Sequence, residues 1–201
     1  MIASPSRPTT IKFLKTPTSQ AWIDQALANL DEAMLDHSHC ERKAASIAIK
    51  LMFLYPSDVA LVEALTEIAQ EELSHFKQVN QWLARRGVAL HCLAAGPYGS
   101  KLRKHVRPND PERKLDLLLV SALIEARSHE RLGLLGQHCP DPDLAKFYRS
   151  LMASEARHYG AYWVLATNEF GTEVVTPRLE ALATAESEIL STLHPAPRVH
   201  S

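Results

Sequence analysis

The sequence predicts an all-α protein: a four-helix bundle with a long crossover between its second and third helices and extra terminal helices. Apolar residues recur every three or four positions over long stretches, which is the period of an amphipathic helix. Glycine is scarce, with 7 residues in 201, and most of the 12 prolines lie at the ends or between the periodic stretches. Hydrophobic residues make up 46% of the chain, which is enough to bury one large core.

The first periodic stretch follows residues 1–17, which are rich in Pro, Ser and Thr and are expected to form a loose arm. Thr18 or Ser19 can cap a helix that starts directly afterwards. The helical pattern continues to Tyr55, where a proline ends it. Because this stretch is long for a single helix, a break is expected near 28–32.

The second long helix is capped by Ser57 or Asp58 and ends at a glycine after Arg86. Residues 87–110 are rich in Gly and Pro and predict a long crossover, interrupted by a short helical turn near 100–106. A connection of this length in a compact domain is usually functional, or it joins two helices that run in the same direction.

The same start and stop signals place three more helices, at about 110–138, 141–170 and 176–193. Asn109 or Asp110 caps the first of these, and Thr176 with the proline after it opens the last. The helical domain is therefore expected to cover 18–194, and residues 195–201 are expected to form a loose tail.

Composition argues against several classes of protein. The formal net charge of −1 provides no overall field for nucleic acid or a membrane, so such a partner would need a local patch. The three cysteines, Cys40, Cys92 and Cys139, are far apart, which argues against a disulfide framework and favours a reducing compartment. The chain shows no apolar run of membrane-spanning length and no signal-peptide core. A cytoplasmic protein without a membrane partner is expected.

Two short motifs each place a carboxylate and an imidazole on one face of a helix. Glu72 and His75 are three residues apart, and so are Glu155 and His158. Each pair interrupts an apolar stripe, where an unpaired carboxylate would be costly to bury. A single Glu-x-x-His is a weak signal, since it is more often a solvated pair or a core histidine with a partner.

The two motifs become informative because each has a further glutamate at a similar distance upstream. Glu41 lies 31 residues before Glu72, and Glu125 lies 30 residues before Glu155. Four carboxylates and two imidazoles without a thiolate suit a pair of iron or manganese ions, with Glu72 and Glu155 as bridges. The sequence therefore predicts a ferritin-like four-helix bundle with the metal ligands Glu41, Glu72, His75, Glu125, Glu155 and His158.

Several blocks of the chain resemble the tRNA 2-methylthio-isopentenyladenosine hydroxylase family, the MiaE-like group of ferritin-like proteins. These blocks are HCERKAAS (39–46), EELSHF (71–76), AGPYGSKLRKHVR (95–107), IEARSHERL (124–132) and SEARHY (154–159). The resemblance spans about residues 12–190 and implies the same six ligands. It also implies a non-haem di-iron monooxygenase that uses dioxygen, with electrons from a reductase or ferredoxin. The implied substrate is the isopentenyl group of a modified adenosine next to the tRNA anticodon.

The chain departs from the family pattern at His129, where the family usually has cysteine. His129 lies four residues after Glu125 and thus on the same helical face. It is interpreted either as a supporting or core histidine or as an added metal ligand. Tyr159 is a second candidate for a supporting role, with a plain core position as the alternative. Leu118, Ala122, Leu151 and Met152 are expected to shape an apolar substrate pocket.

A tRNA substrate requires a basic surface, and the region 85–107 is the candidate. Its basic residues are expected to contact phosphates, while an aromatic ring can stack on a base. The candidate residues are Arg85, Arg86, Tyr98, Lys101, Arg103, Lys104 and Arg107. An ordinary solvated run of charges is an equally good interpretation.

Three other functions remain open from the sequence. One is a ferritin-like oxidase or oxygenase that acts on a small molecule. Another is an iron-binding ferroxidase or storage protein, and a third is a structural bundle whose Glu and His residues pair with each other. The oligomeric state is expected to be a monomer or a small oligomer.

Overall fold

The chain is all-α, which confirms the predicted fold class. The computed structural model describes residues 13–200, so most of the predicted N-terminal arm lies outside it. Within these residues there are seven helices and no strand. They are α1 (Gln20–Ala28), α2 (Leu30–Leu54), α3 (Val59–Arg85), α4 (Tyr98–Arg103), α5 (Glu112–His138), α6 (Pro142–Phe170) and α7 (Thr172–Ile189). None of these helices is long and apolar enough to cross a membrane.

Helices α2, α3, α5 and α6 form the bundle, as two hairpins. Helix α2 packs on α3 and α5 packs on α6, and the hairpins meet mainly through α3 and α6. The crossover between α3 and α5, which contains α4, brings the chain back along the bundle. Helices α3 and α5 consequently run in the same direction, as the length of the crossover predicts.

Local signals set the helix boundaries. Ser19, Asp58 and Asp141 cap α1, α3 and α6, since each side chain accepts a hydrogen bond from a backbone N–H of the first turn. The predicted break in the first helical stretch is confirmed at Asn29, whose backbone leaves the helical region between α1 and α2.

The start of the last helix differs from the prediction. Helix α7 begins at Thr172, so Pro177 lies inside it rather than at its start. Gly171 adopts φ of +79°, a conformation that glycine tolerates best, and this allows the chain to turn sharply after α6. The early start also places Val175 on the same buried face as Leu179, and that burial offsets the loss of one helical hydrogen bond at the proline.

The segment after α7 differs more strongly from the prediction of a loose tail. Arg198 and Val199 are buried, and both are held by the backbone hydrogen bonds that they make. The Trp22 indole N–H donates to the Arg198 carbonyl at 2.9 Å, and the Val199 N–H donates to Asp36 at 2.7 Å. These partners lie in α1 and α2, far away in sequence, so no local pattern around residue 198 signals them.

Two apolar cores occupy the two ends of the bundle. The first core includes Leu51, Leu65, Leu119 and Tyr162. The second core includes Met34, Leu83, Leu135 and Tyr148. Each bundle helix contributes to both cores and passes through a polar layer between them, which contains the candidate metal ligands.

A buried carboxylate outside that layer joins the crossover to the bundle. Asp116 is fully buried at the start of α5. It accepts hydrogen bonds from the guanidinium and backbone N–H of Arg107, and from the guanidinium of Arg178. Burial opposes ionisation of Asp116, but these hydrogen bonds outweigh it and hold the pKa of the carboxyl below its usual value.

We expect Asp116→Asn to destabilise the fold by about 2 kcal/mol at pH 7, because two arginines lose their shared carboxylate. Since the pKa of Asp116 is lowered in the folded state, its contribution is complete above about pH 4 and is lost at lower pH. Chemical denaturation of both proteins at several pH values measures the difference. Glu63→Gln, at an exposed position of α3, is the control, and a difference that stays constant down to pH 2 would contradict the assignment.

Candidate metal centre

The polar layer in the middle of the bundle contains all six of the predicted metal ligands. Helix α2 contributes one glutamate and α5 contributes another, whereas α3 and α6 each contribute a Glu-x-x-His pair. The residues are Glu41, Glu72, His75, Glu125, Glu155 and His158, and each is buried. The i, i+3 spacing places both side chains of a pair on one face, and the two apolar cores direct that face inward.

The six side chains fall into two overlapping groups. Ligand atoms of Glu41, Glu72, His75 and Glu155 all lie within 4.8 Å of one another. Ligand atoms of Glu72, Glu125, Glu155 and His158 satisfy the same limit. Glu72 and Glu155 therefore belong to both groups. Such an arrangement can hold two neighbouring cations that share two carboxylates.

Both histidines turn Nδ1 into the cluster. His158 Nδ1 lies 2.7 Å from a Glu72 oxygen, and His75 Nδ1 lies 3.3 Å from a Glu41 oxygen. The Nε2 atoms point outward, where that of His158 lies 2.7 Å from Glu71 and that of His75 lies 3.2 Å from the Ser154 hydroxyl. A proton held at Nε2 by the outer partner leaves the Nδ1 lone pair free to bind a metal.

Unsatisfied polar atoms show that these residues fit a metal site. Within residues 13–200, one ligand atom on each of five cluster residues is buried and makes no hydrogen bond of good geometry, although two of these atoms, His158 Nδ1 and Glu72 Oε1, face each other at 2.7 Å. These atoms are Glu41 Oε2, Glu72 Oε1, His75 Nδ1, Glu155 Oε1 and His158 Nδ1. A buried polar atom without a partner costs about 1–3 kcal/mol. Several such atoms converge on one point in this cluster. Cations bound there would account for this arrangement, because they bind carboxylate oxygen and imidazole nitrogen.

The electrostatics of the cluster lead to the same conclusion. Burial, followed by repulsion from neighbouring carboxylates, raises the pKa values of Glu72 and Glu155 well above their usual range. Burial also raises the pKa of Glu125 to about 7. Burial acts on Glu41 in the same direction, but the adjacent His37 and His75 outweigh it and lower the pKa of that carboxyl. Bound cations would keep all four carboxylates ionised.

Two residues that contact the cluster are not among the predicted site residues. His37 Nε2 lies 2.5 Å from Glu41, one helical turn away along α2. Glu71 contacts His158 and also forms an ion pair with Arg157 at 2.9 Å. The signals available in the sequence were weak, namely a histidine four residues before a ligand and a second glutamate directly before another.

His129 lies outside both groups of ligand atoms. Its Nδ1 is 2.8 Å from the Met152 carbonyl of α6 and donates a hydrogen bond to it. Its ring contacts Tyr159 edge-on, with 6.0 Å between centroids. These contacts favour a supporting role between α5 and α6 for His129 over an added metal ligand, and Tyr159 belongs to the same supporting contact.

A cavity of about 250 Å³ leads away from the cluster. Four of the candidate ligands line its inner end, and α2, α5, the crossover and residues 198–200 line the rest. The prediction that Leu118, Ala122, Leu151 and Met152 shape the pocket is wrong for this cavity. Leu118 and Ala122 belong to the first core and Leu151 to the second, because the face of α5 that meets the cavity carries Ser121, Ile124 and Ser128 instead.

The residues predicted to bind tRNA are in different environments. Lys101, Arg103 and Lys104 are exposed on or beside α4. Three other arginines already have partners in the protein: Arg85 lies over the Trp82 ring, Arg86 forms an ion pair with Asp31, and Arg107 forms one with Asp116.

The prediction that Tyr98 stacks on a base is not supported by its position. Tyr98 is only 4% exposed, and its ring is stacked on His200. Its hydroxyl donates a hydrogen bond to Glu186. By contrast, Lys43 of α2 is exposed and lines the cavity, although it is not among the residues predicted to bind tRNA.

Comparison with known proteins gives a consistent result. A profile of the family described as tRNA-(MS[2]IO[6]A)-hydroxylase (MiaE) matches residues 6–201. A tRNA 2-(methylsulfanyl)-N(6)-isopentenyladenosine(37) hydroxylase of Pseudomonas putida is 43% identical over 94% of this chain and 92% of its own length. The protein of the same name from Salmonella typhimurium is 30% identical over 95% of this chain and 88% of its own length.

A solved structure is also similar. It is described as protein 43 with aldehyde deformylating oxygenase activity from Synechococcus. The TM-score is 0.92 and the sequence identity is 47%, and the match covers 95% of this chain and 96% of that one.

The contact between Glu71 and His158 can be tested separately from the ligands. We expect Glu71→Ala to weaken ferrous iron binding by about tenfold or more, because His158 loses the group that orients its ring and fixes its proton. Anaerobic titration with Fe²⁺ measures the affinity. Glu67→Ala, at an exposed position one turn earlier on α3, is the matched control. Equal affinities for both variants would rule out this role for Glu71.

Proposed function

Because the chain belongs to the MiaE family of tRNA hydroxylases, we propose that it hydroxylates the isopentenyl group of 2-methylthio-isopentenyladenosine next to the tRNA anticodon. One observation carries the proposal: a buried cluster of four carboxylates and two histidines lies at the inner end of a cavity. The cluster suits oxygenase chemistry, and the cavity can admit one side chain of a larger substrate.

We propose that two iron ions occupy the cluster. Glu41 and His75 would serve one ion, Glu125 and His158 the other, and Glu72 and Glu155 would serve both. When bound, such a pair supplies the activation of dioxygen and the oxidation of an allylic C–H bond, with electrons from a reductase or ferredoxin.

The residues of the chain orient the substrate and control protons and water. Ile47, Ile124 and Leu132 line the cavity, so an isopentenyl group can displace water and approach the cluster. His37 is placed to hold a proton against Glu41, and Glu71 is placed to hold one on His158. These contacts keep the ligands in fixed protonation states while the substrate is held in an apolar environment.

The exposed residues of α4 form the proposed contact with the tRNA backbone. Lys101, Arg103 and Lys104 follow the part of the crossover that lines the cavity, and Lys43 faces that cavity from α2. Phosphates held here would keep the modified base close to the cavity. Since tRNA is the proposed substrate, we also propose that the protein acts in the cytoplasm.

A second candidate function is oxygenase deformylation of a free apolar aldehyde, in which the bond to the formyl carbon is broken. It is favoured by the similarity to the Synechococcus protein and by the apolar residues that line the cavity. The two functions differ in a measurable way, because only the tRNA hydroxylase requires a basic docking surface. Iron storage has less support, since two proteins that match along nearly the whole chain are described as a hydroxylase and as a protein with oxygenase activity.

The first test is of metal content and activity together. We expect the aerobically purified protein to contain about two irons per chain and to hydroxylate tRNA that carries 2-methylthio-isopentenyladenosine when dioxygen and a reductant are supplied. Glu155→Ala should lower the iron content well below one per chain, because Glu155 belongs to both ligand groups. Glu67→Ala should retain iron and activity.

Different failures of this test have different meanings. A wild-type protein that takes up no iron under anaerobic reconstitution would refute the metal site. A protein that retains two irons but removes the formyl group of a long-chain aldehyde and leaves the tRNA unchanged would refute the substrate and support the second candidate.

The docking surface has its own prediction. Replacing Lys101, Arg103 and Lys104 with Ala should weaken tRNA binding and lower the slope of log K against log salt by about two, because phosphate contacts are lost. Filter binding between low and physiological salt measures the slope, and iron content should not change. A control with the same charge change replaces Lys15, Lys77 and Lys146, which are exposed on other parts of the surface. Equal slopes in the two variants would contradict the α4 surface.

A further inference from the structure

Residues 197–200 form an ordered segment that is held from several sides, and we refer to it as the closing segment. Besides the hydrogen bonds from Trp22 and to Asp36, the buried Arg131 guanidinium donates to the Val199 carbonyl. The Arg198 guanidinium donates to Glu32 at 2.8 Å. Helices α1, α2 and α5 thus fix the path of this segment.

The closing segment is also part of the cavity. Arg198, Val199 and His200 line it, together with the crossover from Ala95 to Ser100. The two strips of chain lie against each other, since a Cβ added to Gly96 would lie 3.7 Å from the Arg198 side chain. The candidate metal ligands line the inner end of the same cavity, so the closing segment and the crossover together form its outer wall.

His200 presents a flat, neutral ring in that wall. The ring is stacked on Tyr98 with 4.9 Å between centroids and 15° between planes. Its Nε2 lies 3.1 Å from the Ser128 hydroxyl, and its Nδ1 lies 3.7 Å from Cys40 Sγ. Desolvation, with a smaller contribution from the charge of Arg131, lowers the pKa of His200 to about 3. A neutral imidazole can donate one hydrogen bond and accept another.

The order of groups in the proposed substrate fixes which part of it meets this wall. The isopentenyl carbon that reacts must be near the metal ligands, at the inner end of the cavity. The purine is attached at the other end of that short group, so it must lie further out in the cavity, against the wall that the crossover and the closing segment form. Planar purines bind well where aromatic rings and paired hydrogen-bond donors and acceptors line the site.

We propose that the closing segment is the outer wall of the substrate cavity and that the His200 side chain contacts the modified base, so that His200 determines which substrates are accepted. The contact with the base rests on the proposed function, whereas the position of the wall does not. The position of the wall therefore has its own test, which applies whatever the substrate is.

The test compares His200→Ala with His138→Ala, a histidine that is exposed at the end of α5. For His200→Ala we expect unchanged iron content, a melting temperature lowered by no more than about 4 °C, a KM for modified tRNA that is raised about tenfold, and a kcat within about twofold. His138→Ala should match the wild type in all four measurements. A KM for His200→Ala that equals that of the wild type would overturn the contact with the base.

Alkylation of Cys40 reports on the wall without requiring turnover. Cys40 lines the cavity beside His200, while Cys92 is exposed elsewhere and serves as an internal reference. Iodoacetamide labelling followed by peptide mass spectrometry should show faster labelling of Cys40, relative to Cys92, in His200→Ala than in the wild type. Equal rates would overturn the position of the wall.

The same labelling distinguishes failure of this proposal from failure of the proposed function. Added N6-isopentenyladenosine should slow labelling of Cys40 in the wild type, and adenosine should protect it less. If the nucleoside gives no protection and modified tRNA is not hydroxylated, the proposed function fails, and with it the contact with the base. The labelling rate of Cys40 relative to Cys92 in His200→Ala still supports or overturns the proposed position of the wall.

Discussion

The structure depends on the burial of four carboxylates at the centre of one helical bundle. Glu41, Glu72, Glu125 and Glu155 lie in a layer where like charges repel and where the carboxylates are buried away from bulk solvent. Such a layer is stable only if opposite charge compensates it and if the surrounding packing prevents its collapse. The two apolar cores provide the packing, because every bundle helix is anchored on both sides of the layer.

The candidate ligands were predictable from sequence because each of them follows a local rule. The pair Glu72 and His75 follows the helical period, and an interrupted apolar stripe marks it as buried. The caps at Ser19, Asp58 and Asp141 follow equally local rules. Information of this kind extends over a few residues, so it identifies helices, their inner faces and whatever chemistry those faces carry.

The cavity could not be predicted in the same way, because contacts between distant residues form it. The closing segment is held by Trp22, Asp36 and Arg131, and its own composition resembles a loose tail. Tyr98 has the sequence context of an exposed loop aromatic, but it is buried because Glu186 and His200 approach it from other parts of the chain. The periodicity of a sequence describes one helix at a time and gives no information about contacts between residues that are distant in the chain.

This division between local and distant contacts bears on how substrate choice is determined. The bundle helices supply the candidate ligands, and changing their inner faces would disturb the cluster and both cores together. The crossover and the closing segment supply the outer wall, and most of their side chains contact neither core. The wall can therefore change while the metal chemistry is preserved. We therefore expect substrate choice in such a bundle to depend on the residues that face the cavity from these two segments.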